Sequence, residues 1–361
     1  MCVPPWPRLS GRMSSGASFR ENNTNPSKPP LIRGGLKASP LTRGGVEIQG
    51  GLVFPMGAQM SLSESASSFI FGKKHHEFTF TADDFKRISS MMYQRAGVCL
   101  PPKKAEMVYG RLSRRLRVLG LNSFSAYLDL LINRDGAEWG PFIGALTTHL
   151  TSFFREEHHF PILAEQAGEK AASGRVKLWS CAASTGEEAY SMAIAMAEQF
   201  GTLYPPVDIL ATDVDPAVLE TARLGVYSIE SIESLSERIV RRYFLQGGGI
   251  NKDFVKVRSK LQQMVTFGQL NLMAPTWALK DRYDAIFCRN VMIYFDRPTQ
   301  KRVLQHCRRY LAPDGLFFAG HSENLSHVAD LFDPCGKTVY RPHQHQPACP
   351  PEPAYGGECY A

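Results

Sequence analysis

The chain is predicted to be an α/β protein in which a mostly parallel, Rossmann-like sheet carries a small antiparallel insert and follows an all-α domain. Three observations predict this fold. After Gly174, short apolar runs alternate with helical stretches, as in sheets built from right-handed crossovers. Residues 226–268 interrupt that alternation, and residues 78–160 show only the apolar spacing of helices.

The N-terminal helices have recognisable ends. Thr81 followed by Asp84 resembles a capping box, and Gly97 ends that helix. The next helix runs from about Lys103 to Leu119, with its apolar side chains on one face. Two more are predicted around Leu128, Leu131 and Ile132 and from Phe142 to Phe153.

The later elements alternate between strand and helix. Predicted strands are VKLWSCA (176–182), VDILATD (207–213), YDAIFCRN (283–290) and LFFAG (316–320). Helices follow the first three, ending near Phe200, Arg223 and Leu311; Asp215-Pro216 begins the second of them. A Gly247-Gly248-Gly249 turn and the alternating FVKV (254–257) predict the antiparallel insert.

Composition divides the chain into four segments. Residues 1–75 are predicted to be a disordered, low-complexity extension, 76–163 the helical domain, 164–341 the α/β domain with its insert at 226–268, and 342–361 a disordered tail. Because composition changes abruptly near residue 60, we expect translation to start at Met56 or Met60.

The charge and cysteine patterns exclude several functional classes. The net charge is 41 − 34 = +7, and +5 of it lies in residues 1–60, so the remainder is nearly neutral and no nucleic-acid partner is expected. No apolar run is long enough for a membrane span, so no membrane insertion is expected. The eight cysteines are scattered without metal spacing, which predicts reduced thiols and a cytoplasmic location.

The candidate binding residues follow the predicted strands, where open parallel sheets bind ligands. A loop of small residues, 182–186, leads into Glu187 and Glu188, and Asp213 ends the second strand. Acidic side chains there repel phosphate and accept hydrogen bonds from ribose hydroxyls, and no GxGxxG or Walker loop is present. These features favour a positively charged nucleoside such as S-adenosylmethionine; the alternative is that the acids only cap helices.

Four strings resemble the chemotaxis receptor methyltransferases, the CheR family, in the order of that family. They are LTTHLTSFFREEHHFPIL (146–163), WSCAASTGEEAYSMA (179–193), FCRNVMIYF (287–295) and GHSENLS (320–326). The resemblance covers about 78–340 and implies the same fold, with S-adenosylmethionine as the cofactor. It also implies transfer of a methyl group to glutamate carboxylates on the cytoplasmic helices of chemoreceptors.

The resemblance also implies the roles of individual residues. Arg155 and Tyr294 would lie at the reacting end of the cofactor, where Arg155 orients the carboxylate. Further cofactor contacts would be His149, Thr151, Arg155, Glu188, Asp213, Asn271, Leu272, Arg289 and Asn290. His149 departs from the family, which usually has Asn there, and this puts that contact in doubt. Outside the family pattern, Arg155 could form a salt bridge.

The basic face of the second helix has two interpretations. It could be a solvated face, or it could dock acidic receptor helices through Lys104, Arg111, Arg114, Arg115 and Arg117. The Gly247–Gly249 turn resembles that of members that bind a receptor's C-terminal peptide, but three glycines can also simply form a loop.

Two alternatives to receptor methylation stay open. One is a methyltransferase for another acceptor, such as RNA or a small molecule; the other is a catalytically weak or silent receptor-binding module. His158, His159 and His321 lack the spacing of metal ligands, so no metal is expected. The protein is expected to be a monomer.

Overall fold

The computed structural model describes residues 76–133 and 136–343. The predictions for residues 1–75 and for the tail from residue 344 lie outside the described residues, whereas Pro342 belongs to the last strand. Among the described residues, no helix is both long and apolar enough to cross a membrane.

Within the described N-terminal residues, 76–133 and 136–146, four α-helices form: α1 (Ala82–Ala96), α2 (Ala105–Leu119), α3 (Phe124–Asn133) and α4 (Trp139–Leu146). The capping box of α1 is confirmed, because Thr81 Oγ1 accepts from the Asp84 amide at 3.1 Å and the Asp84 carboxylate accepts from the Thr81 amide at 3.0 Å. Gly97 ends α1 in the left-handed conformation (φ 69°). The apolar faces share one core, in which Ile88 and Leu112 are fully buried.

The prediction of a fourth helix from Phe142 to Phe153 is wrong in its second half, because α4 ends at Leu146. The Thr147 hydroxyl donates to the Ile143 carbonyl at 3.0 Å, and the chain becomes extended there. Phe153 is buried against aromatic rings of the antiparallel insert, so its apolar character reflects a different core.

In the part of the chain that the structure describes, ten strands form two sheets: β1 (Val176–Ser180), β2 (Val207–Asp213), β3 (Val226–Ser228), β4 (Phe244–Gln246), β5 (Phe254–Val257), β6 (Val265–Gln269), β7 (Tyr283–Cys288), β8 (Leu311–Ala319), β9 (Phe332–Gly336) and β10 (Val339–Pro342). The seven-stranded sheet has the order β6-β2-β1-β7-β8-β10-β9, parallel up to β8 and antiparallel around β10. The three-stranded antiparallel sheet has the order β3-β5-β4. Strand β6 pairs in parallel with β2, so the end of the range predicted for the insert, 226–268, contributes an edge of the main sheet.

Six more helices accompany these sheets: α5 (His159–Lys170), α6 (Glu187–Gln199), α7 (Pro216–Leu224), α8 (Glu237–Tyr243), α9 (Ser259–Gln262) and α10 (Arg297–Tyr310). Successive side chains of a strand point to opposite faces. Leu178 and Phe287 therefore pack with α5 and α6, while Trp179 and Ile286 pack with α10. Both faces of the parallel strands are covered, which explains their uninterrupted apolar sequences.

The helical part lies over the C-terminal ends of the parallel strands. Val214 and Tyr294 pack against its core, and the Asn271 side-chain amide donates to the Arg95 carbonyl at 2.6 Å. This packing encloses a cleft at the edge where ligands of open α/β sheets bind. The predicted domain boundary between residues 163 and 164 stays a prediction.

Candidate functional site

One cleft contains most of the candidate residues. The residues predicted to contact the cofactor or the reacting groups all line it: His149, Thr151, Arg155, Glu188, Asp213, Asn271, Leu272, Arg289, Asn290 and Tyr294. Lys104, in the short turn before α2, lines it as well, but the basic residues of α2 do not. The fold thus brings together side chains from the loops after β1, β2, β6 and β7 and from the segment before α5.

Backbone strain is concentrated around the cleft. Four non-glycine residues with positive φ lie in its loops: Phe154 (52°), Glu156 (54°), Ser184 (50°) and Asn290 (58°). Ser184 and Asn290 line the cleft, and the other two flank Arg155. Such conformations cost about 1–3 kcal/mol each and persist where the surroundings require them, typically at functional sites.

Asp213, at the end of β2, is held by the backbone. Its Oδ2 accepts from the Ser184 amide at 2.8 Å, and its Oδ1 accepts from the Asp215 amide at 3.0 Å. Burial raises the pKa of Asp213, and these amide bonds oppose the rise. Each carboxylate oxygen keeps a second lone pair, so the group can still accept from the hydroxyls of a ligand.

Glu188, in the first turn of α6, is paired within the protein. Its Oε1 accepts from Ser180 Oγ at 2.7 Å, and its Oε2 accepts from Arg289 Nε at 2.8 Å. The side chains of Glu188 and Arg289 are 10% and 2% exposed, so the ion pair is almost completely removed from water. As at Asp213, lone pairs remain for a ligand at the cleft surface.

Arg289 binds the protein through all three of its side-chain nitrogens. Besides Glu188, it donates from Nη2 to the Arg155 carbonyl at 2.7 Å and from Nη1 to His159 Nδ1 at 2.9 Å. Burial, followed by the Arg289 charge, lowers the pKa of His159 to about 4, so this ring is neutral at pH 7 and can accept that bond. Arg289 therefore fixes the backbone that carries Arg155; its predicted cofactor contact stays a prediction.

His149 links the helical part to the start of α7. Its Nε2 lies 3.2 Å from Asp215 Oδ2, in the N-cap residue of α7, and 2.8 Å from Thr147 Oγ1. Its carbonyl accepts from Ser184 Oγ at 3.1 Å. Burial alone would lower the pKa of His149, but the bond to Asp215 and the charges of Asp213 and Asp215 outweigh it, so the pKa is raised.

Two cationic side chains line the other part of the cleft. Arg155 donates from Nη1 to the Leu150 carbonyl at 2.7 Å. Lys104 Nζ lies 5.4 Å from the centre of the Tyr294 ring, within cation–π range. The Tyr294 carbonyl accepts from the Cys99 amide at 2.9 Å, which fixes its turn to the helical part.

Glu323 supports the turn that carries Tyr294, and the sequence interpretation missed it. Its Oε1 accepts from the amides of Val291 and Met292 at 2.8 and 2.7 Å, and its Oε2 accepts from the Gly320 amide at 2.5 Å. Burial raises the pKa of Glu323, and the backbone bonds oppose it. An acid inside the quoted string GHSENLS was the available signal.

Glu156 was also missed. Its Oε1 accepts from Asn290 Nδ2 at 3.2 Å and from the His321 amide at 3.0 Å, while Oε2 lies 3.8 Å from Arg289 Nη1. Glu156 therefore joins the strained segment around Arg155 to the strained loop after β7. The sequence also did not predict the supporting bonds made by Ser180, Ser184, His159 and Asp215.

The remaining cofactor candidates differ in their surroundings. Asn271 donates to the Arg95 carbonyl, and its Oδ1 accepts from the Met273 amide at 2.9 Å, so both ends of its amide are engaged. Leu272 is almost buried in the core on the α10 side of the sheet. Thr151 lies in the loop between α4 and α5 and is half-buried.

The basic residues of α2 divide into two groups. Arg111 donates to the Ala145 and Thr147 carbonyls, and Arg115 makes a bidentate pair with Glu138 at 2.8 and 2.7 Å. These bonds stabilise the helical part. Arg117 pairs with Glu77 at the surface. Arg114 is exposed, and within the described residues it has no side-chain bond.

Within residues 76–133 and 136–343, no three or more His, Cys, Asp or Glu side chains are grouped so that they could hold a metal ion. Cys181, Cys288 and Cys307 are buried free thiols, and Cys181 lines the cleft. Burial raises their pKa values, which keeps them protonated.

Comparison with known proteins identifies the family. Residues 83–147 match the model described as CheR methyltransferase, all-alpha domain, and residues 149–341 match CheR methyltransferase, SAM binding domain. The chain belongs to the CheR methyltransferase family. The predicted resemblance is thereby confirmed, as is the fold class with its helical, parallel and antiparallel parts.

Curated relatives share about half of their residues with this chain. Chemotaxis protein methyltransferase 2 of Pseudomonas aeruginosa is 48% identical over 279 residues, which cover 77% of this chain and 99% of the relative. Chemotaxis protein methyltransferase of Escherichia coli is 50% identical over 257 residues, which cover 71% of this chain and 89% of the relative. That of Klebsiella aerogenes is 51% identical, with 71% and 88% covered.

The predicted cofactor, S-adenosylmethionine, is confirmed at the level of the family. The residues of the cleft fit it, because Asp213 and Glu188 offer acceptors for ribose hydroxyls or an amino group and carry negative charge toward a cationic nucleoside. The protein is a methyltransferase of this cofactor class.

Proposed function

We propose that this CheR family member transfers methyl groups from S-adenosylmethionine to glutamate side chains of chemoreceptors, in chemotaxis adaptation. The observation that carries the proposal is a single cleft lined by carboxylates suited to the nucleoside and by Arg155, Lys104 and Tyr294 suited to an anionic acceptor. Relatives named chemotaxis protein methyltransferases support the acceptor class. The reaction takes place in the cytoplasm, on the cytoplasmic helices of the receptors.

The acidic part of the cleft is assigned to the nucleoside. Asp213 and Glu188 each have one hydrogen bond at each oxygen and spare lone pairs, so they accept from the cofactor without losing their internal partners. Arg289 binds Glu188 and keeps it in position. The remaining contacts to the cofactor are assigned to His149, Thr151, Asn271, Leu272 and Asn290.

Methylation of glutamate needs no catalytic base. A glutamate carboxylate, with a pKa of about 4.3, is already ionised at neutral pH. When bound, S-adenosylmethionine supplies an electrophilic methyl group on a sulfonium. One carboxylate oxygen bonds to the methyl carbon as the carbon–sulfur bond breaks, giving the methyl ester and S-adenosylhomocysteine. No proton moves, so alignment and removal of water dominate catalysis.

Arg155 and Tyr294 are the groups proposed to align the acceptor. The Arg155 guanidinium keeps free N–H groups beyond its bond to Leu150, and these orient the incoming carboxylate. Tyr294 is held by the turn that Glu323 caps and borders the same cleft. Replacing Arg155 with Ala is expected to lower kcat more than the affinity for the cofactor.

Receptor docking by α2 and the turn before it is proposed to depend mainly on Arg114 and Lys104. The side chains of Arg111 and Arg115 are hydrogen-bonded within the helical part, so they contribute positive electrostatic potential rather than N–H donors for the receptor. Arg114 is exposed and lacks a side-chain bond in the described part of the chain, and Lys104 lies at the cleft. Arg117, paired with Glu77, adds to the positive surface.

The antiparallel insert is proposed to accept a receptor's C-terminal peptide as an added strand at an edge of the β3-β5-β4 sheet. The glycine turn has an additional, local reason. A Cβ at Gly247 would lie 1.9 Å from the Asn251 carbonyl oxygen, so the turn itself requires glycine there. The peptide site therefore rests on the free edges of this sheet rather than on the glycines.

The proposal is tested by transfer of radiolabelled methyl groups from S-adenosylmethionine to chemoreceptor-containing membranes. Alkali should release the label as volatile methanol, which identifies a carboxyl methyl ester. Cofactor binding without base-labile label would favour the silent receptor-binding module, and label resistant to alkali would favour another acceptor group.

A further inference from the structure

A second groove adjoins the cofactor cleft. It lies between the second half of α1, the segment 99–104 and the turn Met292–Tyr294. It shares Leu100, Lys104 and Tyr294 with the cleft, so the two depressions meet beside Tyr294. Its own lining includes Tyr93, Cys99, Pro101, Lys103 and Ile293, and we call it the acceptor groove.

The acceptor groove exposes apolar side chains. Ile293 is 50% exposed and Tyr93 is 40% exposed. The Tyr93 hydroxyl donates to Asp296 Oδ2 at 2.8 Å, which ties this ring to the start of α10. Apolar groups that are held in place at the rim of an active cleft are suited to contact a partner.

The charge of the acceptor groove is positive. Lys103 and Lys104 line it, and neither has an ion pair among the described residues. The nearby carboxylate, Asp296, is engaged by Tyr93 and by the Thr299 amide at the start of α10. An acidic segment would therefore meet two lysines and an already bonded aspartate.

We propose that the acceptor groove binds the acidic segment that flanks the accepting glutamate, with an apolar side chain against Tyr93 and Ile293 and a carboxylate against Lys103. This rests on the proposed function, since the nucleoside occupies the acidic part of the cleft and the acceptor enters from the Tyr294 side. The groove opens at that side, so a bound segment is continuous with the reacting carboxylate.

The first experiment compares Lys103→Glu and Ile293→Glu with matched controls. Lys280→Glu reverses the charge of an exposed lysine just before β7, and Ile132→Glu alters an exposed apolar residue of α3; neither control lies in the groove. Each groove variant should lower kcat/KM for chemoreceptor-containing membranes by about tenfold, mainly through KM, because like charges or a lost apolar contact weaken docking. The controls should change it less than about twofold.

The affinity for S-adenosylmethionine should stay within about twofold for all four variants, since none of these residues is assigned to the nucleoside. High salt should reduce the difference between Lys103→Glu and the wild type. The groove proposal would be overturned if the groove variants had the same kcat/KM as their controls at low salt. It would also be overturned if the groove variants lost as much affinity for S-adenosylmethionine as they lost in kcat/KM.

The second experiment uses the native thiols as reporters. Cys99 lies in the groove, and Cys335 is exposed elsewhere on the protein. Receptor-containing membranes, with S-adenosylhomocysteine present to prevent turnover, should slow maleimide labelling of Cys99 by at least about threefold and leave Cys335 unchanged. Peptide mass spectrometry reads each cysteine separately. Equal labelling of Cys99 with and without receptor would contradict the proposal.

Failure of the groove differs from failure of the proposed function. Wild-type protein that forms no base-labile ester on any receptor overturns the function. Wild-type protein that forms the ester, with groove variants like their controls and Cys99 unprotected, overturns the groove alone.

Discussion

Arg289 is expected to be the most sensitive single position around the site. Its replacement by Met leaves Glu188 Oε2 without its 2.8 Å partner in a nearly water-free environment and removes the bonds to the Arg155 carbonyl and to His159. Breaking a buried pair by removal of one member costs about 3–5 kcal/mol, because the other charge stays buried. We therefore expect Arg289→Met to lower the free energy of unfolding by about 4 kcal/mol.

The expected coupling follows from the same contacts. Glu188→Gln removes the charge that Arg289 neutralises, so Arg289→Met with Glu188→Gln should cost about 2 kcal/mol less than the sum of the single variants. Arg289→Lys keeps the charge but loses the planar fork that reaches Glu188, Arg155 and His159 together. It should fall between wild type and Arg289→Met in stability and weaken cofactor binding.

Urea unfolding, followed by circular dichroism, measures these differences. The matched control is Arg87→Met, which removes a 2.8 Å pair with Asp129 whose side chains are 34% and 55% exposed. Exposed pairs contribute about 0–1 kcal/mol. A loss for Arg289→Met no larger than for Arg87→Met, or strict additivity with Glu188→Gln, would refute the argument that Arg289 holds the site together.

Four further variants test other contacts. The pKa of His149 is raised in the folded protein, which therefore holds the proton more tightly than the unfolded chain does. The resulting stabilisation is present in full below about pH 6.5 and is lost as pH rises through the raised folded pKa. His149→Asn should remove it, and urea unfolding of both proteins across this pH range measures the difference. Arg114→Glu should slow receptor methylation at low salt without loss of stability, whereas Arg115→Glu should cost about 3 kcal/mol of stability because it breaks a half-buried bidentate pair. Glu323→Gln should lower kcat about tenfold with little change in cofactor affinity. The side-chain NH2 group would replace one carboxylate oxygen, so either the bond from the Gly320 amide or the bonds from the turn that carries Tyr294 would be lost. Steady-state kinetics measure kcat, and a binding assay measures the affinity for the cofactor.

Each of these expectations has an opposing result. A wild-type stability advantage over His149→Asn that grows toward alkaline pH would reverse the sign argued for that ring. Equal unfolding curves for Arg115→Glu and Arg114→Glu would mean that the pair with Glu138 contributes little. Unchanged kcat in Glu323→Gln would mean that its three backbone bonds do not control the position of Tyr294.

The sequence predicts those parts of the fold that local interactions specify. The capping box at Thr81 and Asp84, the Gly97 stop and the β2 strand 207–213 follow from residues within a few positions of one another, and the structure confirms them. The predicted fourth helix extends too far because Phe153 is apolar and continues the helical pattern. Only the tertiary structure reveals that Phe153 packs against the insert. Periodicity does not distinguish which core a buried aromatic side chain joins.

The sequence predicted which residues line the site but not the hydrogen bonds and ion pairs that connect them. Topology and the family resemblance bring the candidates to one cleft. The bonds of Arg289, however, join it to Glu188, 101 residues away, and to the Arg155 carbonyl, 134 residues away. No pattern in the sequence pairs such distant residues. Arg111 and Arg115 are a related case, since their helix face suggests docking while their side chains bind α4 and Glu138.

The central claim is most directly tested by mass spectrometry of chemoreceptors incubated with this protein and S-adenosylmethionine labelled in the methyl group. A labelled methyl group is expected on glutamate side chains of the cytoplasmic receptor helices, removed by mild alkali and greatly reduced with Arg155→Ala. Label on another residue type, or no label although the wild-type protein binds the cofactor, would contradict it.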